Sequence, residues 1–204
     1  MKRSQILFIV MLLVLAIQRL LELRVSNRHA ATLLRNGGRE HAPAQYQVMK
    51  LLHSSWFVAM VLEIVGRRRS FRPWLAAPAG LLFLTGQALR YAAIRTLGER
   101  WTARVVTLPG APPVTNGIYR YLRHPNYLGV ALEIAAVPFL HSAYWTALLF
   151  SLANLLLLRD RVHVEERALA VDNGYARYIT GSSGSWLSGL RISDRTPALH
   201  DAHG

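Results

Sequence analysis

The sequence predicts an all-α fold, a polytopic membrane helical bundle of about five transmembrane helices. Hydrophobic residues make up 52% of the 204 residues, the mean hydropathy is +0.21, and the apolar residues are grouped into blocks. Arginines stand at the ends of these blocks and supply most of the formal net charge of +13. Because such placement is typical of topology signals and of contacts with anionic lipids, the basic charge indicates a membrane partner rather than nucleic acid.

The chain contains no cysteine, which excludes disulfide bonds, thiolate metal sites and redox chemistry at sulfur. Eight histidines are present, but their spacing does not suggest metal ligands. The pair His200 and His203 lies in a polar tail that we interpret as disordered. We therefore expect no metal.

The first three spans are predicted from continuous apolar runs. Residues 4–23 reach the length of about 20 residues that a membrane helix needs. A signal peptide is the alternative there, but no small-residue cleavage site follows the run. Residues 46–65 and 74–94 form the second and third spans, and Gly80 and Gly86 in the third suit close helix packing. A polar connection with a Gly-Gly turn links the first two spans.

Residues 127–140 and 144–158 form the fourth and fifth apolar blocks, joined by a minimal turn. The fourth block is short and contains Pro138, so we interpret the two blocks as a helical hairpin that is tilted or partly re-entrant. The fifth helix continues as a polar segment to about Ala170 and ends near Asp172, where Asn and Gly follow.

Several polar residues fall inside or beside the spans, where they are costly and are often functional. His53 is either a functional group or a buried, hydrogen-bonded helix contact. Arg19 lies three residues from Glu22, and we expect Arg19 to extend toward the lipid headgroups. Glu133 lies about two turns after His124, which favours a place in a substrate pocket over a simple contact between helices.

The chain divides into three parts. We expect residues 1–97 to form an N-terminal three-helix membrane scaffold, residues 98–180 a region of loop, helical hairpin and polar helix that holds the candidate catalytic residues, and residues 181–204 a flexible tail. With five spans, the connections around residues 24–45 and 95–125 share one side of the membrane with the tail. That side holds 15 arginines against 6 basic residues on the other, so it is predicted to be cytosolic.

The stretch from Gly117 to Gly129 is the densest group of polar and aromatic side chains between two apolar blocks. Pro125 disfavours a helical conformation for the residue before it and is tolerated in the first turn of a new helix. A helix junction is therefore predicted at this proline. Two interpretations remain open, a pocket for a flat, polar ligand and a membrane-surface turn with an aromatic belt. The polar and aromatic side chains at the junction are Tyr119, Tyr121, His124, Asn126 and Tyr127.

A second polar stretch, residues 159–166, follows the fifth apolar block. Arg161 and Glu165 are four residues apart and share one helix face. As a surface ion pair they would contribute only about 0.3–0.5 kcal/mol. A role in a site is the alternative.

Both stretches resemble the isoprenylcysteine carboxyl methyltransferase family, which consists of integral membrane enzymes that use S-adenosyl-L-methionine. The likeness rests on Arg-His-Pro-Asn-Tyr-x-Gly at residues 123–129, preceded by Gly117-x-Tyr119, and on Arg-Asp-Arg-x-x-x-Glu-Glu at residues 159–166. It covers residues 105–180. The Arg-His-Pro-x-Tyr element alone is less specific, because membrane sterol reductases and phospholipid N-methyltransferases share it.

The resemblance implies a cofactor pocket at the helix junction. A sulfonium nucleoside with an amino-acid end needs acceptors for its amino group, donors for its carboxylate and aromatic faces near the positive sulfur. The resemblance implies these cofactor contacts: Val114, Tyr119, His124, Pro125, Asn126, Tyr127 and Glu165.

The same resemblance places Arg161 beside the acceptor, as a catalytic and substrate-binding residue. An ionised carboxylate acceptor needs no base. A phenol or enol does, and His124 and Glu133 are the candidate bases, with Arg161 stabilising the oxyanion. The N-terminal half is similar to a bacterial branch associated with O-methylation of alkylresorcinols and alkylpyrones. It implies a lipid or lipidated small-molecule acceptor, and a location in a bacterial inner membrane.

Two other functions remain open. One is an NADPH-dependent membrane sterol or enone reductase, against which the Glu165-Glu166 pair and the small size argue. The other is a non-enzymatic membrane protein such as a small transporter, which polar residues inside the spans would suit.

Overall fold

The computed structural model describes residues 2–173, and this part of the chain is mainly helical. The helical class predicted from the sequence is confirmed. Two short strands, which the sequence analysis did not predict, pair beside the bundle. The elements in chain order are α1 (Arg3–Arg35), β1 (Arg39–His41), α2 (Pro43–Gly66), α3 (Pro73–Leu97), β2 (Val105–Thr107), α4 (Pro125–Phe139) and α5 (Tyr144–Asn173). Predictions for the tail after Asn173 lie outside the described residues.

Within the described residues, α1 and α2 are long and apolar enough to cross a membrane. Large apolar side chains project outward from both, for example Leu7 with 70% of its surface exposed and Leu51 with 71%. In water such exposure is unfavourable, whereas lipid tails solvate it. That α3, α4 and α5 also cross the bilayer stays a prediction. That α4 and α5 form a membrane hairpin stays a prediction too.

The apolar core lies between α1, α2, α4 and α5. Trp56, Met60 and Ile64 of α2 are at most 5% exposed and contact the buried face of α1. Helix spacing explains the pattern, since residues three or four apart share one face. The buried cluster consists of Phe8, Leu12, Leu15, Trp56, Met60, Ile64, Val130, Ile134, Val137 and Ala143.

Helices α3 and α4 approach each other closely at two glycines. A Cβ atom placed on Gly129 would lie 2.7 Å from the Gly86 carbonyl oxygen, and one on Gly86 would lie 2.9 Å from the Gly129 oxygen. Any side chain at either position would push the helices apart. The expected packing role is confirmed for Gly86, whereas a Cβ on Gly80 would meet only an ordinary contact at 3.9 Å.

A carboxylate at the end of α2 caps the start of α5. Glu63 accepts hydrogen bonds from the backbone N–H groups of Trp145 and Thr146, at 3.2 and 2.8 Å, and from the Thr146 hydroxyl at 2.9 Å. Arg69 binds the same carboxylate at 2.9 Å. A negative charge is favourable at a helix N-terminus, where backbone donors are unpaired. Glu63 therefore fixes the junction of α2 and α5.

A buried network of charged side chains joins α1, α3 and α4. Arg19 binds Glu22 and also Glu133, the latter at 2.6 Å, and Arg90 binds Glu22 and lies 3.4 Å from Glu133. Arg19 therefore does not extend to the headgroups as expected. The carboxylates of Glu22 and Glu133 hold the Arg19 guanidinium inside the bundle, because pairing offsets the cost of burying each charge.

The strand pair closes the polar end of the bundle. Strands β1 and β2 are antiparallel, with Glu40 opposite Val106. The turn before β1 requires glycine, since Gly37 has a φ of +87° and a Cβ on Gly38 would lie 2.7 Å from the Leu33 oxygen. The pair holds the 98–122 connection against the ends of α1 and α5.

Candidate functional site

A cavity of about 130 Å³ lies where α4 begins, bordered by the 98–122 connection and the polar end of α5. Two sequence-distant stretches meet there. Other lining residues come from the rest of the bundle, including Leu33 of α1 and Leu97 of α3. The predicted site residues that line the cavity are Val114, Tyr119, His124, Asn126, Tyr127 and Glu165.

His124 is the residue before α4, and Pro125 occupies the first helical turn as predicted. The His124 ring is 7% exposed and stacks on the Tyr127 ring, with 5.4 Å between centroids and 8° between planes. Its Nε2 atom lies 3.1 Å from Oε1 of Glu166. The proline-imposed helix start thus places both rings against the polar segment of α5. Pro125 itself is buried and does not line the cavity.

The Tyr127 hydroxyl joins the two residues predicted on α5. It donates a hydrogen bond to Glu165 Oε2 and accepts one of 2.9 Å from Arg161 Nε. A second N–H of Arg161 donates to the Ala103 carbonyl oxygen. Arg161 and Glu165 are four residues apart, so both point toward α4. With Arg161 only 3% exposed, the pair is not a solvent-exposed surface contact.

Two amide side chains in the lining have a carbonyl oxygen that is buried and has no hydrogen-bond partner among residues 2–173. These are Asn126 and Asn173. Buried acceptors in proteins are normally paired. A ligand that offers N–H or O–H donors would satisfy them.

Comparison with known proteins shows the family. The model of the isoprenylcysteine carboxyl methyltransferase (ICMT) family matches residues 79–171, which contain both stretches that form the cavity. The chain belongs to the isoprenylcysteine carboxyl methyltransferase family. The resemblance seen in the sequence is therefore confirmed, and family membership together with the apolar α1 and α2 makes this an integral membrane protein of a methyltransferase family.

Three curated proteins are similar to this chain. The uncharacterized protein YpbQ of Bacillus subtilis (strain 168) is 31% identical over 163 residues, 80% of this chain and 96% of the relative. An uncharacterized protein of Haemophilus influenzae is 28% identical over 154 residues, 74% of this chain and 88% of the relative. The protein-S-isoprenylcysteine O-methyltransferase of Schizosaccharomyces pombe is 32% identical over 101 residues, 48% of this chain and 42% of the relative.

Two residues that the sequence analysis considered as functional groups lie outside the cavity lining of this ICMT-family chain. Glu133 is not in the cavity lining; it lies in the network with Arg19 and Arg90, where two cations hold it. The expectation that Glu133 faces the pocket is corrected on this ground. His53 lies 3.5 Å from Asn154 of α5, so the interpretation as a contact between helices fits it.

Sequence reasoning missed three groups at the site. Glu166 orients His124, and the bond to His124 lowers the pKa of the Glu166 carboxyl. Arg100 lines the cavity and donates to the Pro112 oxygen at 2.7 Å, and its burial lowers the pKa of its guanidinium. Asn173 follows Glu165 by eight residues on the same helix face. This eight-residue spacing from Glu165 is the signal in the sequence that would have identified Asn173.

The described residues contain no group of three or more His, Cys, Asp or Glu side chains that could hold a metal ion. The chemistry available in the cavity is that of one carboxylate, two amides, four aromatic side chains and nearby guanidinium groups. Such a set can bind a ligand that carries a positive charge at one end and hydrogen-bond donors along its length.

Proposed function

We propose that this protein is a membrane O-methyltransferase that uses S-adenosyl-L-methionine and acts on a lipophilic acceptor. The observation that supports this most strongly is the meeting of both family motifs at Tyr127. Its ring stacks on His124 and its hydroxyl contacts Glu165 and Arg161. A membrane-surface turn with an aromatic belt would leave these side chains at the lipid interface, whereas His124 is buried.

The residues present fit the cofactor. Glu165 offers a carboxylate for the amino group, and Asn126 offers a buried oxygen that lacks a partner within residues 2–173. The rings of Tyr119, His124 and Tyr127 can face a positive sulfur. Val114 adds apolar contact and Pro125 shapes the junction. S-Adenosylmethionine, when bound, supplies an electrophilic methyl group. The protein's task is then to hold two reactants in line and to exclude water.

Arg161 is the residue we assign to the acceptor. The contacts with Tyr127 and with the Ala103 oxygen fix the guanidinium, and five N–H donors allow such a group to bind further oxygen atoms. A carboxylate acceptor is already ionised and needs no base. A phenol or enol must lose one proton, and Arg161 would stabilise the oxyanion while His124, oriented by Glu166, takes the proton.

The acceptor is proposed to be a lipid or a lipidated small molecule, either an isoprenylcysteine-type carboxylate or a polyketide-derived phenolic lipid. The apolar helices around the polar end of the bundle support this, because an amphipathic acceptor can enter from the bilayer. We further propose that the cavity faces the cytosol and that the protein lies in a bacterial inner membrane. The excess of arginine on that side and the two bacterial relatives support these proposals.

The test is calorimetric binding of S-adenosylmethionine to purified protein in nanodiscs. We expect binding by the native chain and at least tenfold weaker binding by Glu165→Gln, since a charge-assisted contact is lost. Asp160→Asn is the matched control, because Asp160 is exposed on the same helix and does not line the cavity. NADPH is measured in parallel. No S-adenosylmethionine binding by a folded preparation would reject the proposal, and tight NADPH binding would favour a reductase.

A further inference from the structure

Asn173 is one of the residues that line the cavity. It is the last described residue of α5, and its Nδ2 atom donates to the carbonyl oxygens of Leu108 and Ala111, at 2.8 and 2.6 Å. Two carbonyl partners fix the orientation of the amide, because only its NH₂ group can donate to both. The Asn173 amide thus holds the loop of residues 108–111 against the cavity.

The carbonyl oxygen of the same amide makes no hydrogen bond within the described residues. Oδ1 of Asn173 is buried and has no hydrogen-bond partner among residues 2–173, although the side chain belongs to the cavity lining. The fixed NH₂ group prevents a flip that would pair this oxygen elsewhere. A donor on a bound ligand is therefore the natural partner for it.

The position of Asn173 relative to Glu165 indicates which part of a ligand it meets. The two residues are eight positions apart on one face of α5, which is about 12 Å along the helix axis. Leu169 lies between them and also lines the cavity. This separation matches an extended molecule that carries an amino acid at one end and a nucleobase at the other. Near Asn173, Leu108 and Leu169 offer apolar walls for a flat base.

We propose that Asn173 is a nucleobase-binding residue whose Oδ1 accepts a hydrogen bond from the exocyclic amine of adenine. This inference rests on the proposed function, in which Glu165 binds the amino-acid end of the cofactor. Asn173 thereby selects an amino-purine over a base that carries a carbonyl at the same position, since two facing acceptors repel.

The backbone around Asn173 keeps this oxygen in place. The preceding residue, Asp172, accepts a hydrogen bond of 2.9 Å from the Gly110 N–H through its backbone oxygen. Gly110 has a φ of +78°, a conformation that glycine adopts readily. The 108–111 loop is therefore bound to Asp172 and Asn173 on both sides of Gly110, and these contacts fix the Asn173 side chain.

The experiment compares two ligands, S-adenosylhomocysteine and its inosine counterpart, S-inosylhomocysteine, by calorimetry in nanodiscs. The native chain should bind the adenosine form about tenfold more tightly, the effect of one hydrogen bond. Asn173→Ala should remove that preference. Asn173→Asp, which keeps an acceptor and loses the NH₂ donors, should retain a preference for the adenosine form even if both affinities fall.

The ratio of the two affinities separates base recognition from a structural role, because a loop-holding residue would weaken both ligands equally. A ratio in Asn173→Ala equal to the native ratio would overturn the inference and leave the proposed function intact. Failure of native protein to bind S-adenosylhomocysteine at all would overturn the proposed function itself. If the alanine variant does not fold, the test rests on how strongly the native chain and Asn173→Asp prefer S-adenosylhomocysteine to S-inosylhomocysteine. Equal binding of the two ligands by the native chain rejects the inference.

Discussion

At the scale of single residues, Tyr127 is the point where the two motifs depend on each other. Its hydroxyl accepts from Arg161 and donates to Glu165, so one oxygen orients both side chains. Both partners are ionisable side chains, and hydrogen bonds to charged groups contribute about 1.5–3 kcal/mol each. Removing that oxygen leaves a cation and an anion on α5 without their shared partner.

We therefore expect Tyr127→Phe to reduce both S-adenosylmethionine affinity and methyl transfer by about tenfold or more. The phenyl ring keeps the stack on His124, so the variant should fold. Binding by calorimetry and turnover on a lipid extract measure the effect. Tyr121→Phe is the matched control, because Tyr121 is 67% exposed. Equal losses of affinity and turnover in the two variants would show that the Tyr127 hydroxyl has no specific role in binding or methyl transfer.

Glu133 shows why a residue's role was harder to predict than its environment. The sequence indicated a carboxylate inside the membrane region, and the structure agrees that it is buried, at 6% exposure. Its partners Arg19 and Arg90 are distant in sequence, so no local spacing could reveal them. The helix junction at His124 and the shared face of Arg161 and Glu165 were predictable because proline and helix periodicity act locally. The roles of these residues in one site were implied only by the family resemblance.

At the scale of elements, the helices were predictable and the strand pair was not. The apolar blocks at 46–65 and 144–158 lie within α2 and α5, since a long apolar run leaves few alternatives. Strands β1 and β2 have three residues each and are separated by most of the N-terminal half, so their pairing depends on tertiary contacts. Helix α1 also continues to Arg35, beyond its apolar run, because Ser26 and His29 contact the 98–122 connection.

The strand pair and α5 are joined through Asp172, and this junction should depend on pH. The Thr107 hydroxyl donates to the Asp172 carboxylate. The same carboxylate lies 3.1 Å from the Arg39 guanidinium and 3.2 Å from Nε2 of His41. The Thr107 bond first, and then these two groups, lower the pKa of Asp172 below its ordinary value of 3.8. A lowered pKa in the folded state stabilises the protein above the ordinary value, and that contribution is lost as the pH falls through the lower one.

Asp172→Asn should therefore lower the unfolding midpoint at neutral pH and make no difference at a pH well below 3.8, where the native carboxyl is also protonated. Thermal unfolding in nanodiscs across this range measures it. Asp160→Asn, exposed on the same helix, should follow the native curve throughout. A gap between Asp172→Asn and native protein that persists at the lowest pH would contradict the assignment.

The charged network of α1, α3 and α4 makes a different prediction, because it lies outside the cavity lining. Glu133→Gln removes one carboxylate from a cluster in which Arg19 and Arg90 then share Glu22 alone. Breaking a buried pair is destabilising by up to about 3–5 kcal/mol. We expect a lower unfolding midpoint with S-adenosylmethionine affinity and turnover per folded molecule unchanged. A native unfolding midpoint combined with lost turnover would restore Glu133 as a base.

At the scale of the whole molecule, the length of α1 relates the membrane to the site. Its 33 residues extend over about 50 Å, more than the roughly 30 Å of bilayer hydrocarbon. One end of α1 packs in the apolar core, and the other reaches the cavity at Leu33. A single rigid helix therefore connects the lipid-facing scaffold to the pocket. This geometry favours a site at the membrane surface, which a lipophilic acceptor can reach without leaving the bilayer.

The same geometry predicts that α3 crosses the membrane, since its 25 residues extend over about 37 Å. Because the chain has no cysteine, single cysteines report their side without background. Ser70 and Glu99 are exposed and flank opposite ends of α3. We expect the variants Ser70→Cys and Glu99→Cys to react with an impermeant maleimide from opposite sides of the membrane. Glu99→Cys should react only in inverted vesicles. Reaction of both from one side would place α3 along the interface. Reaction of Glu99→Cys in right-side-out vesicles alone would put the cavity on the outer face and contradict the proposed cytosolic orientation.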